Sequence, residues 1–355
     1  PPTSTRCTHR RQRQMCIRDR AYTVSLEEGL SNAGFEINNE AKNLFEAHKA
    51  EHEEAFEKPK SMLAAMTTPY DPPELVPSPE QVRQVAGTAD LAIVTIGRNS
   101  GEGGDRVEEG DFLLSEDEVE LLKNVNDSFH SLGKKVVVVL NIGGVIETAS
   151  WKEQADAILL AWQGGQEGGN SVADILSGKV NPSGKLPMTF PVALADHASS
   201  ANFPMDGAAF NFSAMFGKPK VKPEEEQIAN VDYTTYEEGI YVGYRYFDKV
   251  PMEVSYPFGY GLSYAEFDYR NLELELTDGV LHVSLEVENT GRVAGKEVVQ
   301  FYVSKTDTQI DRPVQELKAF VKTPLLPGGE STRVHLEIAI SDLSYCCLLY
   351  TSPSP

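Results

Sequence analysis

Cysteine is scarce in this 355-residue sequence and is confined to its ends. The four cysteines are Cys7, Cys16, Cys346 and Cys347, so residues 21–344 contain none. A chain without internal cysteine can build neither a disulfide framework nor a thiolate zinc site. These two classes of small stabilised domain are therefore excluded.

Positive charge is also scarce, with 32 Lys and Arg against 53 Asp and Glu and a formal net charge of −21. An acidic surface repels polyanions, so we expect neither nucleic acid nor a membrane as a partner.

No apolar run approaches the roughly 18 residues that a membrane-spanning helix needs. The length allows two or three globular domains at about 100–200 residues each. The acidic charge and the lack of internal cysteine fit a cytoplasmic location.

The two ends differ in composition from the rest of the chain. Residues 1–20 hold six Arg and one Asp and lack the apolar core of a signal peptide. Together with the closing YCCLLYTSPSP, this stretch looks like translated sequencing adapter. We therefore expect residues 1–20 and 345–355 to be artefactual tails, and we exclude them from reasoning about the fold.

An α/β pattern occupies residues 21–205. Continuous apolar runs at 90–96, 135–140 and 155–162 predict strands that are buried on both faces. Between the first two, residues 115–118 read S-x-x-E, the signature of a capping box that begins a helix. Strands connected through helices predict a doubly wound, mostly parallel sheet.

The pattern changes twice after this region. Residues 206–270 are poorly periodic and predict a linker and interdomain segment. From residue 271 the apolar period is two, with turns between the runs, which predicts an all-β fibronectin type III-like sandwich over 271–344. These 74 residues are fewer than the about 100 of a complete sandwich, so we expect one or two strands to be missing.

The loop with the most chemistry is RNSGEGGDR, directly after the first predicted strand, where open sheets bind ligands. It lacks both glycine-rich phosphate motifs, and Glu102 and Asp105 would repel a phosphate, which disfavours nucleotide binding. Its glycines allow a tight loop that presents the Glu102 carboxyl group for proton transfer. From the pattern alone, a merely solvated glutamate remains the competing interpretation.

Several segments together carry a family resemblance. RNSGEGGDR, NIGGVIE, AWQGGQEGGNSVADILSGKVNPSGKLPMTFP, YEEGIYVGYRYFD, YPFGYGLSY and VENTGRVAGKEVVQFYV occur in the order found in glycoside hydrolase family 3 β-glucosidases. The chain resembles their C-terminal α/β domain and fibronectin type III-like domain. The resemblance implies that Glu102 is the acid/base and that a separate (β/α)₈ barrel, missing here, supplies an Asp nucleophile. Arg98, Asp105 and Arg106 are expected to support the loop, with Arg98 and Arg106 paired to Asp105 or Glu102, although a solvated state competes for both arginines.

The resemblance implies part of a retaining enzyme that hydrolyses β-linked glucosides and is inactive without the barrel. No cofactor and no metal are expected, and no substrate-binding residue is assigned because the family's sugar contacts lie mostly on the barrel. The alternative is a non-catalytic carbohydrate-binding or structural module with the same fold.

Overall fold

The computed structural model describes residues 22–57, 72–98, 106–201, 237–306 and 311–344. The chain divides into two compact units. The first comprises Pro1–Ser177 and Phe190–Glu237, and the second comprises Gly178–Thr189 and Glu238–Pro355.

The first unit is an α/β domain. Its described helices are α1 (Leu26–Asn32), α2 (Asn39–Glu51), α3 (Glu53–Phe56), α4 (Pro79–Thr88), α5 (Glu116–Ser131) and α6 (Gly168–Leu176). Its strands are β1 (Leu91–Gly97), β2 (Lys135–Asn141), β3 (Ala157–Leu160) and the two-residue β4 (Phe190–Pro191). Short 3₁₀ turns lie at Lys152–Gln154, Leu194–Asp196 and Ala198–Ala201.

Strands β1, β2 and β3 form a parallel sheet in chain order, with Leu91 opposite Lys135 and Val137 opposite Ala157. Helices cover the apolar side chains of this sheet. Ile93 packs with the cluster between α1 and α6, whereas α5 contacts β1 and β2. The α/β class with a parallel sheet, predicted from the apolar runs, is confirmed.

Helix α5 begins at the predicted capping box. The Ser115 hydroxyl accepts a hydrogen bond from the Glu118 amide at 3.2 Å, and the Glu118 carboxylate accepts one from the Ser115 amide at 3.0 Å. The helix buries Leu122 and Phe129 and ends two residues before Gly133. Helix α5 thus fills the β1-to-β2 crossover and brings its first turn to the end of β1.

The second unit is mainly β. It holds α7 (Tyr244–Lys249), β5 (Val254–Tyr256), β6 (Phe267–Thr277), β7 (Val280–Asn289), β8 (Val298–Val303), β9 (Glu316–Lys322), β10 (Ser331–Ala339) and a 3₁₀ turn at Ile340–Leu343. The antiparallel sheet β10-β7-β6 packs against the pair β8-β9 around a core that includes Val283, Val299 and Leu336. Leu274 pairs with buried Val283 yet is 57% exposed. The antiparallel strands that pack around one apolar core confirm the predicted all-β fibronectin type III-like class.

The observed division differs from the boundaries predicted at residues 205 and 270. Part of the predicted linker, from residue 238 onward, belongs to the second unit, and so does the segment 178–189. The Asn181 side chain accepts hydrogen bonds from the Ser263 hydroxyl at 2.9 Å and the Tyr264 amide at 2.8 Å. Such side-chain bonds to a distant turn leave no periodic signal, so the sequence pattern could not predict them.

Candidate functional site

The carboxyl edge of the parallel sheet is the candidate site. Strands β1, β2 and β3 end there at Gly97, Asn141 and Leu160, and parallel sheets gather their ligand-binding groups at this edge. Residues 99–105, with the predicted acid/base Glu102 and the predicted loop residue Asp105, lie outside the described residues. The residues on either side of this loop, Arg98 and Arg106, are described, and their contacts show how the edge is built.

Arg98, the first residue after β1, is almost completely buried at 3% exposure. Its guanidinium forms a bidentate ion pair with the Glu118 carboxylate, with N–O distances of 2.7 and 2.8 Å. It also donates to three backbone carbonyls, those of Asp111 at 2.6 Å, Gly97 at 2.9 Å and Leu113 at 3.1 Å. These bonds use all five N–H donors of the side chain.

The alternative interpretation, in which Arg98 is simply solvated, is therefore wrong. The expected carboxylate partners were Asp105 or Glu102, within the loop itself, whereas the carboxylate seen in the bidentate pair belongs to Glu118 on α5. The reason is the crossover, which brings the first turn of α5 beside the end of β1. The S-x-x-E motif reveals the helix cap, but no sequence signal links its glutamate to an arginine 20 residues earlier.

Arg106, at the other end of the undescribed loop, makes a weaker pair. Its Nη1 lies 2.5 Å from an Asp111 carboxylate oxygen, and both side chains are half-buried. The pKa of Arg106 is lowered from its usual value, first because burial penalises its charge and further because Arg98 is a nearby cation, while the Asp111 charge opposes the shift. Arg106 therefore has a described carboxylate partner, Asp111, and is not simply solvated.

Two glycines after β2 let the neighbouring segments approach this edge. A Cβ on Gly144 would lie 2.9 Å from Nη2 of Arg106, and a Cβ on Gly143 would lie 2.7 Å from Nε2 of Gln163. Nε2 of Gln163 is buried and has no hydrogen-bond partner among the described residues. The NIGGVIE segment therefore uses its glycines for close packing against the two flanking segments.

Glu147, also in that segment, is a buried acid that sequence reasoning left without a role. Its carboxylate accepts hydrogen bonds from the Ser150 amide at 2.6 Å and the Ser150 hydroxyl at 2.7 Å. Its backbone carbonyl accepts one from the Trp151 indole at 2.8 Å. These bonds cap the turn at 147–151, so Glu147 has a structural role. The E-x-x-S spacing is the signal that could have revealed it.

Two other classes of site find little support in the part of the chain that the structure describes. No group of three or more potential metal ligands lies together there. The His48 and His52 ring nitrogens bond the backbone carbonyls of Pro73 and His48, each at 3.0 Å. Within those same ranges, the helices are too short or too polar to cross a lipid bilayer.

The fold and this edge define a modular protein, in which a parallel α/β domain with an acidic, glycine-rich loop is followed by a β-sandwich. Residues 14–264 match the glycosyl hydrolase family 3 C-terminal domain, and residues 297–348 match the fibronectin type III-like domain. The chain belongs to glycosyl hydrolase family 3.

Similar proteins support this assignment. The chain is 37% identical over 311 residues to β-glucosidase A of Butyrivibrio fibrisolvens, covering 75% of this chain and 34% of that protein. It is 32% identical over 327 residues to a β-glucosidase of Ruminococcus albus, covering 91% of this chain and 31% of that protein. The solved β-glucosidase 3B of Thermotoga neapolitana in complex with glucose is 41% identical and superposes with a TM-score of 0.79, covering 94% of this chain and 43% of that one. The chain thus spans about a third of the length of the curated relatives it matches.

Proposed function

We propose that this chain is the non-barrel part of a retaining β-glucosidase and that Glu102 is its general acid/base. The nucleophilic Asp is supplied by a separate barrel of the parent protein, and the substrate is a β-linked glucoside. The observation that carries the proposal is that Arg98 and Arg106, which flank Glu102 in the sequence, both lie at the carboxyl edge of the sheet, in a chain whose relatives are named β-glucosidases.

The chemistry needs two carboxyl groups about 5–5.5 Å apart. In the first step the barrel Asp attacks the anomeric carbon while Glu102 gives its proton to the departing glycosidic oxygen. In the second step the Glu102 carboxylate takes a proton from water, which attacks the same carbon and releases both glucose and the Asp carboxylate. A chain that supplies only the acid/base is therefore expected to be inactive alone.

The electrostatics of the described residues suit an acid in this loop. Unpaired cations beside a carboxyl group lower its pKa and weaken it as an acid at neutral pH. Arg98 is paired with Glu118, and Arg106 is paired with Asp111. The two arginines that flank residues 99–105 in the sequence are thus each paired with a carboxylate, which supports the proposed acid role of Glu102.

The test compares Glu102→Gln with wild type in the parent polypeptide that includes the barrel. On cellobiose, whose leaving group needs a proton, kcat is expected to fall by about 10²–10⁴-fold. On 2,4-dinitrophenyl glucoside, whose leaving group departs without one, glycosylation is expected to change little.

Glu120→Gln is the matched control, because it makes the same chemical change at an exposed residue of α5. It is expected to leave both rates unchanged. Equal losses of kcat/KM, which reports the glycosylation step, on both substrates for Glu102→Gln would contradict the acid role. No loss on either would favour the alternative, a carbohydrate-binding or structural module.

A further inference from the structure

We infer that the buried Arg98–Glu118 pair is a positioning device that joins the two ends of the acid/base loop and thereby sets the geometry of proton transfer by Glu102. The inference rests on the proposed function. It assigns a role in catalysis to Glu118, a residue whose sequence signature indicates only a helix cap.

Arg98 bonds the chain on both sides of the loop. The loop leaves the sheet at Gly97 and has returned to the domain by residues 111–113. Arg98 donates to the Gly97 carbonyl before the loop and to the Asp111 and Leu113 carbonyls after it, at 2.6–3.1 Å. One side chain therefore ties the start of the loop to its return.

The returning segment, residues 108–113, is itself fixed. Its irregular turn Glu108–Phe112 places Gly110 at a positive φ of 70° and buries the Phe112 ring completely. The Phe112 carbonyl accepts a hydrogen bond from the Glu147 amide at 2.8 Å. Arg98 thus bonds a segment that is anchored in the core.

The Glu118 carboxylate binds Arg98 and caps α5 at the same time. Its oxygens accept from both terminal nitrogens of Arg98, and one of them also accepts from the Ser115 amide at 3.0 Å. The guanidinium is therefore oriented by the rigid first turn of α5. The loop ends, the arginine and the helix form one connected unit.

Stability alone does not account for this arrangement. A buried ion pair loses much of its attraction to desolvation, and well-packed apolar residues at the same positions are often as stable or more so. An apolar pair, however, could not hold three backbone carbonyls in place. The feature that Arg98 supplies and a hydrophobic residue cannot is a fixed geometry for the loop ends.

The test uses the parent polypeptide with its barrel and the double variant Arg98→Met/Glu118→Gln, which removes both buried charges. The readout is the ratio of kcat/KM on cellobiose to kcat/KM on 2,4-dinitrophenyl glucoside. A variant that merely folds less well lowers both rates equally, so the ratio is independent of the folded fraction. We expect the ratio to fall about tenfold or more, because small displacements of a catalytic group cost large factors in rate, with the KM for cellobiose little changed.

Arg83→Met/Glu80→Gln is the matched control, since it removes an exposed ion pair of 2.6 Å from α4, and its ratio is expected to equal that of wild type. A wild-type ratio in Arg98→Met/Glu118→Gln, alongside a lowered ratio in Glu102→Gln, would overturn this inference and leave the proposed function standing. An unchanged ratio in Glu102→Gln would remove the proposed function and this inference with it.

Discussion

The two edges of the parallel sheet hold similar groups in different surroundings. At the carboxyl edge, Arg98 and Glu118 are 3% and 5% exposed. At the amino edge, the Asp156 carboxylate accepts from Lys135 Nζ at 2.6 Å, from His130 Nε2 at 2.8 Å and from the Val136 amide at 2.8 Å, but the Lys135 side chain is 70% exposed. Both edges therefore carry an ion pair beside the strand ends. The pair at the carboxyl edge is buried, and the pair at the amino edge lies at the surface.

The difference lies in what happens when one partner is removed. Water readily replaces a partner at an exposed pair, which contributes about 0–1 kcal/mol. A buried charge that loses its partner is not hydrated in its place, so the free energy of unfolding falls by about 3–5 kcal/mol. The carboxyl edge should thus tolerate far less change than the amino edge, which the following variants examine.

The largest effect is expected for Glu118→Ala. It leaves the Arg98 guanidinium buried without its carboxylate and also removes half of the capping box, so the free energy of unfolding should fall by about 3–5 kcal/mol. Urea unfolding at neutral pH measures it. Glu116→Ala, at an exposed position in the same helical turn, should cost less than about 1 kcal/mol. Equal losses of unfolding free energy for the two variants would mean that burial of the carboxylate does not set the cost of removing it.

A smaller effect is expected for Gly144→Ala at the same edge. The added methyl would lie 2.9 Å from Arg106 Nη2, so the guanidinium must move away from Asp111. Overpacking of this kind costs about 1–3 kcal/mol, and the mobile end of Arg106 favours the lower figure. Thermal unfolding measures it. Gly165→Ala, where the space around the new methyl is open, serves as the control and should be neutral or slightly stabilising.

The smallest effect is expected for Asp156→Asn at the amino edge. Lys135 first, then the Val136 amide and His130, hold the pKa of the Asp156 carboxyl well below its usual value. A carboxyl whose pKa is lower in the folded state stabilises the protein above its unfolded pKa, about 3.9, and loses this contribution as the pH falls further. The free energy of unfolding of wild type should therefore exceed that of Asp156→Asn by no more than about 1 kcal/mol at pH 7.

Urea unfolding at pH 7, 4 and 3 tests the sign of that dependence, since the difference between wild type and Asp156→Asn should shrink below pH 4. Asp127→Asn, which breaks an exposed surface pair of 2.5 Å with Lys123 on α5, is the control for the loss of one surface carboxylate. A difference that grows as the pH falls would contradict the interpretation.

Local features were predictable because each is carried by neighbours in the chain. The apolar runs at 90–96 and 135–140 predicted strands that the structure places at Leu91–Gly97 and Lys135–Asn141. The predicted run at 155–162 is longer than its strand, Ala157–Leu160. The reason is that the chain leaves the extended conformation at Trp162, which has a positive φ of 52°.

Features built from distant residues were not predictable in this way. Asn181 falls within the predicted α/β range 21–205, yet its side chain bonds residues 263 and 264 of the second unit. Glu147 looked like one acidic residue among many, but its carboxylate caps a buried turn. In each case the partner is chosen by the packing of elements, which no periodicity in the sequence records.

The amino-acid sequence by itself determined the α/β and β patterns, the start of α5 at Ser115 and the resemblance that points to Glu102, because apolar period, capping chemistry and motifs are local properties. Only the tertiary structure decided that Arg98 is buried, that Glu118 is its partner and that the two ends of the loop are tied together. A bidentate ion pair depends on where a crossover helix lands beside a strand end, and that position is set by the packing of the whole domain.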